Sequence, residues 1–241
     1  MNLTVNGEKK SAVGASVADL LRELGYRDPW PAQAFAVASR DRFPGFAAAL
    51  AERSGLVVPV NELGILELAL SESEEIALCA KIERPSRWME RQELLFEEPE
   101  LTTALGAVFH PFDGCVDPVP LLDALSAVIA RHDGISVVRE DCRELHAGEL
   151  GCNVLTDMEN RYASDSVLLA AGAWTPLIAG AGAAVAAVQP IRGQMMAIDG
   201  APLRHVSCGA GGDLIPRHDG VTVAGGTMEY AGFDSVTTPE A

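Results

Sequence analysis

Five histidines, His110, His132, His146, His205 and His218, are the side chains best placed to move protons near neutral pH. No G-x-S-x-G elbow presents a serine to any of them, so Ser–His–Asp hydrolysis lacks its usual turn. A turn or surface position accounts for each histidine. The five cysteines, Cys79, Cys115, Cys142, Cys152 and Cys208, are odd in number and include no C-x-x-C pair. Neither a disulfide framework nor a zinc ribbon is expected. His205 and Cys208 are spaced like two metal ligands on a turn, but no second pair answers them, and no metal site is expected.

Phosphate chemistry is the next class to test. The chain has no P-loop. GAGAAV at 180–185 approximates a dinucleotide fingerprint but puts Val185 where close helix–strand packing needs a small residue. Trp174 and Pro176 also interrupt the strand that should lead into it, so a turn is predicted. The run VLLAAGAW, 167–174, is more informative. A buried strand ending in Ala170, Ala171 and Gly172 lets a flat ligand come close to the backbone. A tight strand-to-helix turn without a ligand explains the same residues equally well.

The elements that would position these residues follow from periodicity and turn chemistry. Residues 2–6 and 9–13 read as a hairpin, and Ser16 caps a helix over 17–24 that Gly25 stops. Pro29 and Pro31 mark a boundary. Residues 33–53 read as a helix that Pro44 should kink or split. Strands are predicted at 56–59 and 63–70, where Leu66, Leu68 and Leu70 share a face. The acidic stretch 71–99 is helical in character, and 105–110 is a strand. Asp117 then caps a helix with Pro118 in its first position. Its apolar stripe is Leu121, Leu122, Leu125, Val128 and Ile129, and Gly134 ends it. Strands follow at 135–138, 142–146, 153–156 and 166–170. After Pro190 the chain is β-rich, with a hairpin turn at His218-Asp219-Gly220.

Composition narrows the function. Among 241 residues, 34 acids outweigh 18 Lys and Arg for a formal charge of −16, which repels nucleic-acid backbones and anionic membranes. With 48% hydrophobic and 22% charged residues, the chain is expected to fold. Residues 166–191 are uncharged over a length that could span a bilayer, but nine alanines, three glycines and two prolines favour a buried strand and turn. The N-terminus has no apolar signal core, so a cytoplasmic location is expected.

Several quoted runs carry a resemblance: SRDRFPGFAAAL, SGLVVPVNELGILELAL, FEEPEL, DGCVDPVPLLDAL, VLLAAGAWTPLI, VQPIRGQMMAI and LIPRHDGVTVAGGTMEYAGFD. In order and spacing, 31–241 resembles the FAD-dependent D-amino-acid oxidase family, and within it the glycine oxidases of thiamine biosynthesis. The first 26 residues are similar instead to the ubiquitin-like sulfur carrier of that pathway. The resemblance implies an α/β (α+β) fold, in which a partial FAD-binding Rossmann-like domain interleaves with an antiparallel-sheet substrate domain. It assigns 1–30 to the carrier-like fragment, 31–50 and 115–185 to the FAD domain, and 51–114 and 186–241 to the substrate domain. It also implies FAD as cofactor, with Ala170, Ala171, Gly172 and Trp174 lining its cleft.

The departures from the family matter as much. Its opening strand, GxGxxG turn and helix hold the FAD pyrophosphate, and nothing in this chain resembles that first βαβ unit. The resemblance places the family's carboxylate-clamping arginine beyond Ala241. It puts Asp213 where bacterial glycine oxidase has a substrate-site tyrosine, and an acid there would repel a carboxylate. Arg217 falls near the substrate side, although a surface role on the hairpin suits it as well. The implied activity is oxidative deamination of glycine or a small amine to an imine, with oxygen reduced to hydrogen peroxide. Partners would be that substrate, oxygen and thiamine-pathway proteins, with homo-oligomers allowed and no nucleic acid or membrane. The alternative is a cofactor-free docking or carrier protein of the same pathway.

Overall fold

The computed structural model describes residues 2–5, 8–11, 31–148, 151–200 and 203–238, and the chain divides into two units, 1–46 and 47–241. In the first, β1 (Asn2–Val5) and β2 (Glu8–Ser11) pair antiparallel, Asn2 opposite Ser11 and Val5 opposite Glu8, as the alternation of residues predicts. The helix expected at 17–24 lies outside the described residues. Helix α1 (Pro31–Ser54) contains Pro44 and runs on through it, so of the expected kink or split the split does not occur. A proline inside a helix removes one N–H and crowds one carbonyl, while the flanking turns keep their own bonds.

The main sheet belongs to the second unit. Its strands are β4 (Ile65–Ala69), β5 (Arg87–Glu90), β6 (Gly106–His110), β11 (Met195–Asp199), β12 (Val206–Cys208), β13 (Asp213–Pro216) and β14 (Val221–Gly225). They lie in the order β11-β14-β13-β12-β4-β6-β5, antiparallel throughout except for β12 beside β4. Two distant stretches, 65–110 and 195–225, therefore share one sheet. The short pair β3 (Val60–Asn61) and β7 (Cys115–Val116) lies outside it.

The reasons are local. In β4, Leu66 and Ala69 are buried, and Leu68 packs against the same core. That core holds Leu66, Met89, Leu94, Leu101, Ala104 and Ala107, with Phe109, Leu203 and Leu214 against it. Ser71 caps α2 (Glu72–Cys79) by accepting from the Glu74 amide at 3.3 Å. The acidic stretch is not helical throughout, because β5 interrupts it before α3 (Arg91–Glu97). Trp88 and Met89 are partly and fully buried beside β6, and pairing there satisfies backbone groups a helix would have satisfied internally.

Helix α4 (Pro118–Ala130) starts as predicted, with the Asp117 carboxylate accepting from the Val119 amide at 3.1 Å. Its inner face differs from the expected stripe. Ala124 is fully buried and Leu121, Leu125 and Val128 are half-buried beside it, while Leu122 is exposed. These inner positions follow three- and four-residue steps, and Leu122 lies a step to the side.

A meander follows: β8 (Cys142–Gly148), β9 (Gly151–Thr156) and β10 (Arg161–Ser164), in the order β10-β9-β8. Ala179 bridges β8 in parallel fashion, its amide donating to Arg143 O at 2.9 Å while its carbonyl accepts from the Leu145 amide at 2.8 Å. Gly180 follows with φ +80, and a Cβ there would collide with Leu145 O, so glycine is required.

Three expected strands have no ladder. Residues 56–59 give way to the two-residue β3, and 135–138 and 166–170 form no strand among the described residues. Val137 is 69% and Leu168 90% exposed. Strands of this apolar character are normally buried on both faces of a parallel sheet. Composition marks them as strand-like, but a strand is a pairing relationship, and no described segment pairs with them.

At one end of β11 and β14, Arg192 and Glu229 bridge the chain. Glu229 accepts from Thr227 Oγ1 at 2.6 Å, Gln194 Nε2 at 2.7 Å and Arg192 Nε at 3.0 Å. Thr227, Gln194 and Arg192, in that order of effect, hold its carboxyl at about 2, against the opposing effect of burial. An unfolded glutamate titrates at about 4.3. The folded value is therefore depressed, and the stabilisation it reflects is complete above the unfolded value and lost as pH falls towards about 2. A carboxyl-carbon NMR titration should place the Glu229 midpoint near 2. A midpoint at about 4 would show that the network does not form in solution.

Candidate functional site

A cavity of about 870 Å³ opens on one face of the main sheet. Met195, Met196 and Ala197 of β11, Val223 of β14 and Ile215 of β13 form its floor. The β3–β7 pair forms a wall with Val60 and Val116, and Leu203 forms part of another. The volume lies within the range typical of small-molecule sites.

The polar groups at its edge are already committed to one another. Arg217 is bonded to Asp117 Oδ1, and His218 Nδ1 lies 3.4 Å from Asp117 Oδ2. Burial pushes the Asp117 carboxyl up. The Arg217 bond, the Val119 amide and the charges of Arg217 and His218 together outweigh that effect and hold it below the ordinary carboxylate value. Asn61 Nδ2 donates to Arg204 O at 2.9 Å, and Arg204 Nη1 lies 3.2 Å from Glu97. Cys115 lines the cavity as a thiol. Burial raises its pKa, the Asp117 charge raises it further, and Arg217 offsets only part, so it is a poor nucleophile.

The residues singled out in the sequence fall in two places. Arg217 lines the cavity. Asp213 stands on the same sheet face two residues before Ile215, exposed and outside the lining. Ala170, Ala171, Gly172 and Trp174 do not line it. They enter a 3₁₀ turn (Gly172–Leu177) in which Thr175 Oγ1 donates to Gly172 O at 2.8 Å. Gly172 has φ +54, and a Cβ there would point into open space. Trp174 is 60% exposed, with its ring 5.7 Å from Phe233. The surface over Ala170–Gly172 is thus small and open, a shape that admits a flat ring.

A diphosphate finds no comparable place among the described residues. The 180–185 run forms a short 3₁₀ turn (Ala183–Val185), and the Ala181 and Val185 amides are bonded to Ile178 O and Gly182 O. The N-terminus of α4 is occupied by the Asp117 carboxylate. The Gly172 turn leaves open space beside its backbone, while the Ala181 and Val185 amides of the 180–185 run are already bonded.

Sequence reasoning overlooked two features. Asp117 reads as a helix cap, and its ion pair with a residue 100 positions away has no local signal. His205 reads as a surface residue but is buried, its Nδ1 2.6 Å from Glu98 Oε1. The nearest approach to a serine relay is Ser86 Oγ, 2.9 Å from His110 Nδ1, with His110 Nε2 3.5 Å from Glu67. It lies outside the cavity lining, and the Ser86 amide is bonded to Glu83 O rather than free to hold an oxyanion. No group of three metal-binding side chains occurs among the described residues, and no described helix is long and apolar enough to cross a membrane.

The family model described as FAD dependent oxidoreductase matches residues 12–241, and the chain belongs to that family. It is 28% identical over 229 residues to the bifunctional protein ThiO/ThiG of Synechocystis sp. (strain ATCC 27184 / PCC 6803 / Kazusa), covering 88% of this chain and 32% of that protein. It is 26% identical over 215 residues to the glycine oxidase of Geobacillus kaustophilus (strain HTA426), covering 85% of this chain and 57% of that enzyme. The crystal structure of glycine oxidase from Geobacillus kaustophilus superposes with a TM-score of 0.77 at 24% identity, over 90% of this chain and 61% of that one. The glycine oxidase from Bacillus cereus ATCC 14579 gives 0.74 over 89% and 63%. The chain therefore spans about 57% of the length of the glycine oxidase it matches in sequence, and the mixed α/β fold is that of the glycine oxidases.

Proposed function

We propose that this chain serves an FAD-dependent amino-acid oxidase of the glycine-oxidase type. Its reaction is oxidative deamination of glycine or a small amine to an imine, with oxygen reduced to hydrogen peroxide, in thiazole formation for thiamine. The observation that carries this reading is the seven-stranded sheet, built from two distant stretches and superposing on glycine oxidase, with Arg217 at the cavity on its face. The name of the ThiO/ThiG relative supports the thiamine link. The same topology supports a substrate domain drawn from 51–114 and 186–241, and the resemblance to the family extends the reading to 31–50 and 115–185 on the cofactor side, with 1–30 carrier-like. Flavin supplies the hydride acceptor that no side chain offers. Ala170, Ala171, Gly172 and Trp174 would face its ring, and Asp213 and Arg217 would face the substrate.

One observation favours a second reading, a cofactor-free docking protein of the same pathway: no diphosphate cradle occurs among the described residues. Visible absorbance separates the two. The oxidase reading expects purified protein that carries flavin or takes it up on addition, and that releases peroxide with glycine. Protein that stays colourless after FAD is added and washed away ends it.

A further inference from the structure

We infer that residues 226–238 form a flap that opens as one unit, hinged at Gly225 and Gly226 and latched by Arg192 and Gln194, and that its opening parts Phe233 from Trp174 beside the Gly172 turn. Gly225 ends β14 with φ +122 and Gly226 follows with φ +119, a pair of left-handed residues at which the chain leaves the sheet. Among the described residues, the segment beyond them joins no ladder except the single bridge between Glu229 and Arg192. Its apolar side chains stay out of the core: Met228, Tyr230 and Val236 are exposed. Phe233 makes a ring contact with Trp174, 5.7 Å between centroids. A segment that buries so little apolar surface belongs to the low end of local stability.

Polar bonds to two residues hold it instead. Arg192 reaches both parts of the flap. Its backbone exchanges two bonds with Glu229, each 2.9 Å, and its Nε donates to Glu229 Oε2 at 3.0 Å. Its Nη1 donates to Val236 O at 2.7 Å and lies 3.3 Å from Asp234 Oδ2. Gln194 is buried and grips Thr238 with both ends of its amide, accepting from the backbone N–H at 2.7 Å and donating to Oγ1 at 3.2 Å. The Gly226 and Thr227 amides donate to Gln194 O at 3.3 Å. Because these bonds converge on two residues at the entry to β11, losing them frees the segment together and not residue by residue. Few loop positions need to absorb the backbone change in such an opening. The turn that Phe233 meets is the one the proposed function gives to the flavin ring, and only the identity of the guest rests on that reading.

Amide hydrogen exchange on the full chain without added flavin tests the flap. In the parent protein the Glu229 and Thr238 amides should exchange at similar rates, at least about tenfold faster than the paired amides of β13 and β14. Arg192→Gln should speed these two by about tenfold or more and leave β13 and β14 unchanged. Phe233→Ala removes an exposed ring, so its fold should persist, and it should speed them by about two- to tenfold. Flap amides as protected as those of β14 overturn the inference, as does an unchanged rate in either variant. A rise shared equally by β13 and β14 also overturns it, because Arg192 would then support the fold in general. Should Arg192→Gln fail to fold, Phe233→Ala decides. Riboflavin, a ring without a diphosphate, probes the guest, and slower flap exchange in its presence supports a ring held beside Phe233. Exchange unchanged by saturating riboflavin ends the ring's place at this turn and keeps the flap. Flavin-bearing protein whose flap amides match β14 in protection keeps the oxidase reading and ends the flap.

Discussion

Glu98→Ala should lower the unfolding free energy by about 3–5 kcal/mol, the cost of leaving several buried hydrogen-bond donors without their acceptor. Glu98 is 1% exposed, and its carboxylate accepts from the Arg204 amide at 3.0 Å, the His205 amide at 2.7 Å and His205 Nδ1 at 2.6 Å. Alanine leaves two backbone donors and an imidazole without partners, and His205 is itself only 7% exposed. Water cannot replace the lost bonds without opening the core between α3 and β12. Glu98→Gln keeps one acceptor oxygen but turns an amide donor towards other donors, so it should cost an intermediate amount. Urea unfolding measures both. A loss under about 1 kcal/mol for alanine would mean that the pair is solvated in solution. The consequence reaches the site, because Leu203 and Arg204 border the cavity immediately before the segment Glu98 holds.

Asp117→Ala should cost about 2–4 kcal/mol through two separable losses. The carboxylate caps α4 at the Val119 amide, a contribution of about 1 kcal/mol. It also pairs with Arg217, whose side chain is 24% exposed and can recover part of its hydration when the partner is removed. Asp117→Asn retains a capping oxygen and removes the charge, so the difference between the two variants isolates the ion pair. The pH dependence has a definite sign. Folding holds the Asp117 carboxyl below its ordinary value, so its stabilisation is present above the unfolded carboxylate range and is lost as pH falls through the folded value. Asparagine should therefore flatten the acid limb of the stability profile. An acid limb identical to that of the parent protein would show that the Arg217 pair contributes nothing in water.

These two carboxylates show how far residues alone can be read. Asp117-Pro118 announces a helix start because both effects act within one turn: a side chain reaches its own backbone, and a missing N–H falls where none is needed. The pairing of Asp117 with Arg217 and of Glu98 with His205 joins positions about a hundred residues apart, and neither has a local signature. The same division runs through the strands. Residues 65–69 and 221–225 alternate and form ladders, while 135–138 and 166–170 have apolar character and no described neighbour to pair with.

By itself, the order of residues determined the local turns, the capped start of α4, the His218-Asp219-Gly220 hairpin, the acidic surface and the resemblance to flavin oxidases. Each depends on contacts within a few residues or on composition. Tertiary structure alone decided that 65–110 and 195–225 form one sheet, that a cavity opens on one face of it, and that the arginines beside that cavity each meet a carboxylate. Those outcomes depend on which distant segments meet, and a chain's short-range preferences are nearly indifferent to that choice until burial and charge pairing select among the alternatives.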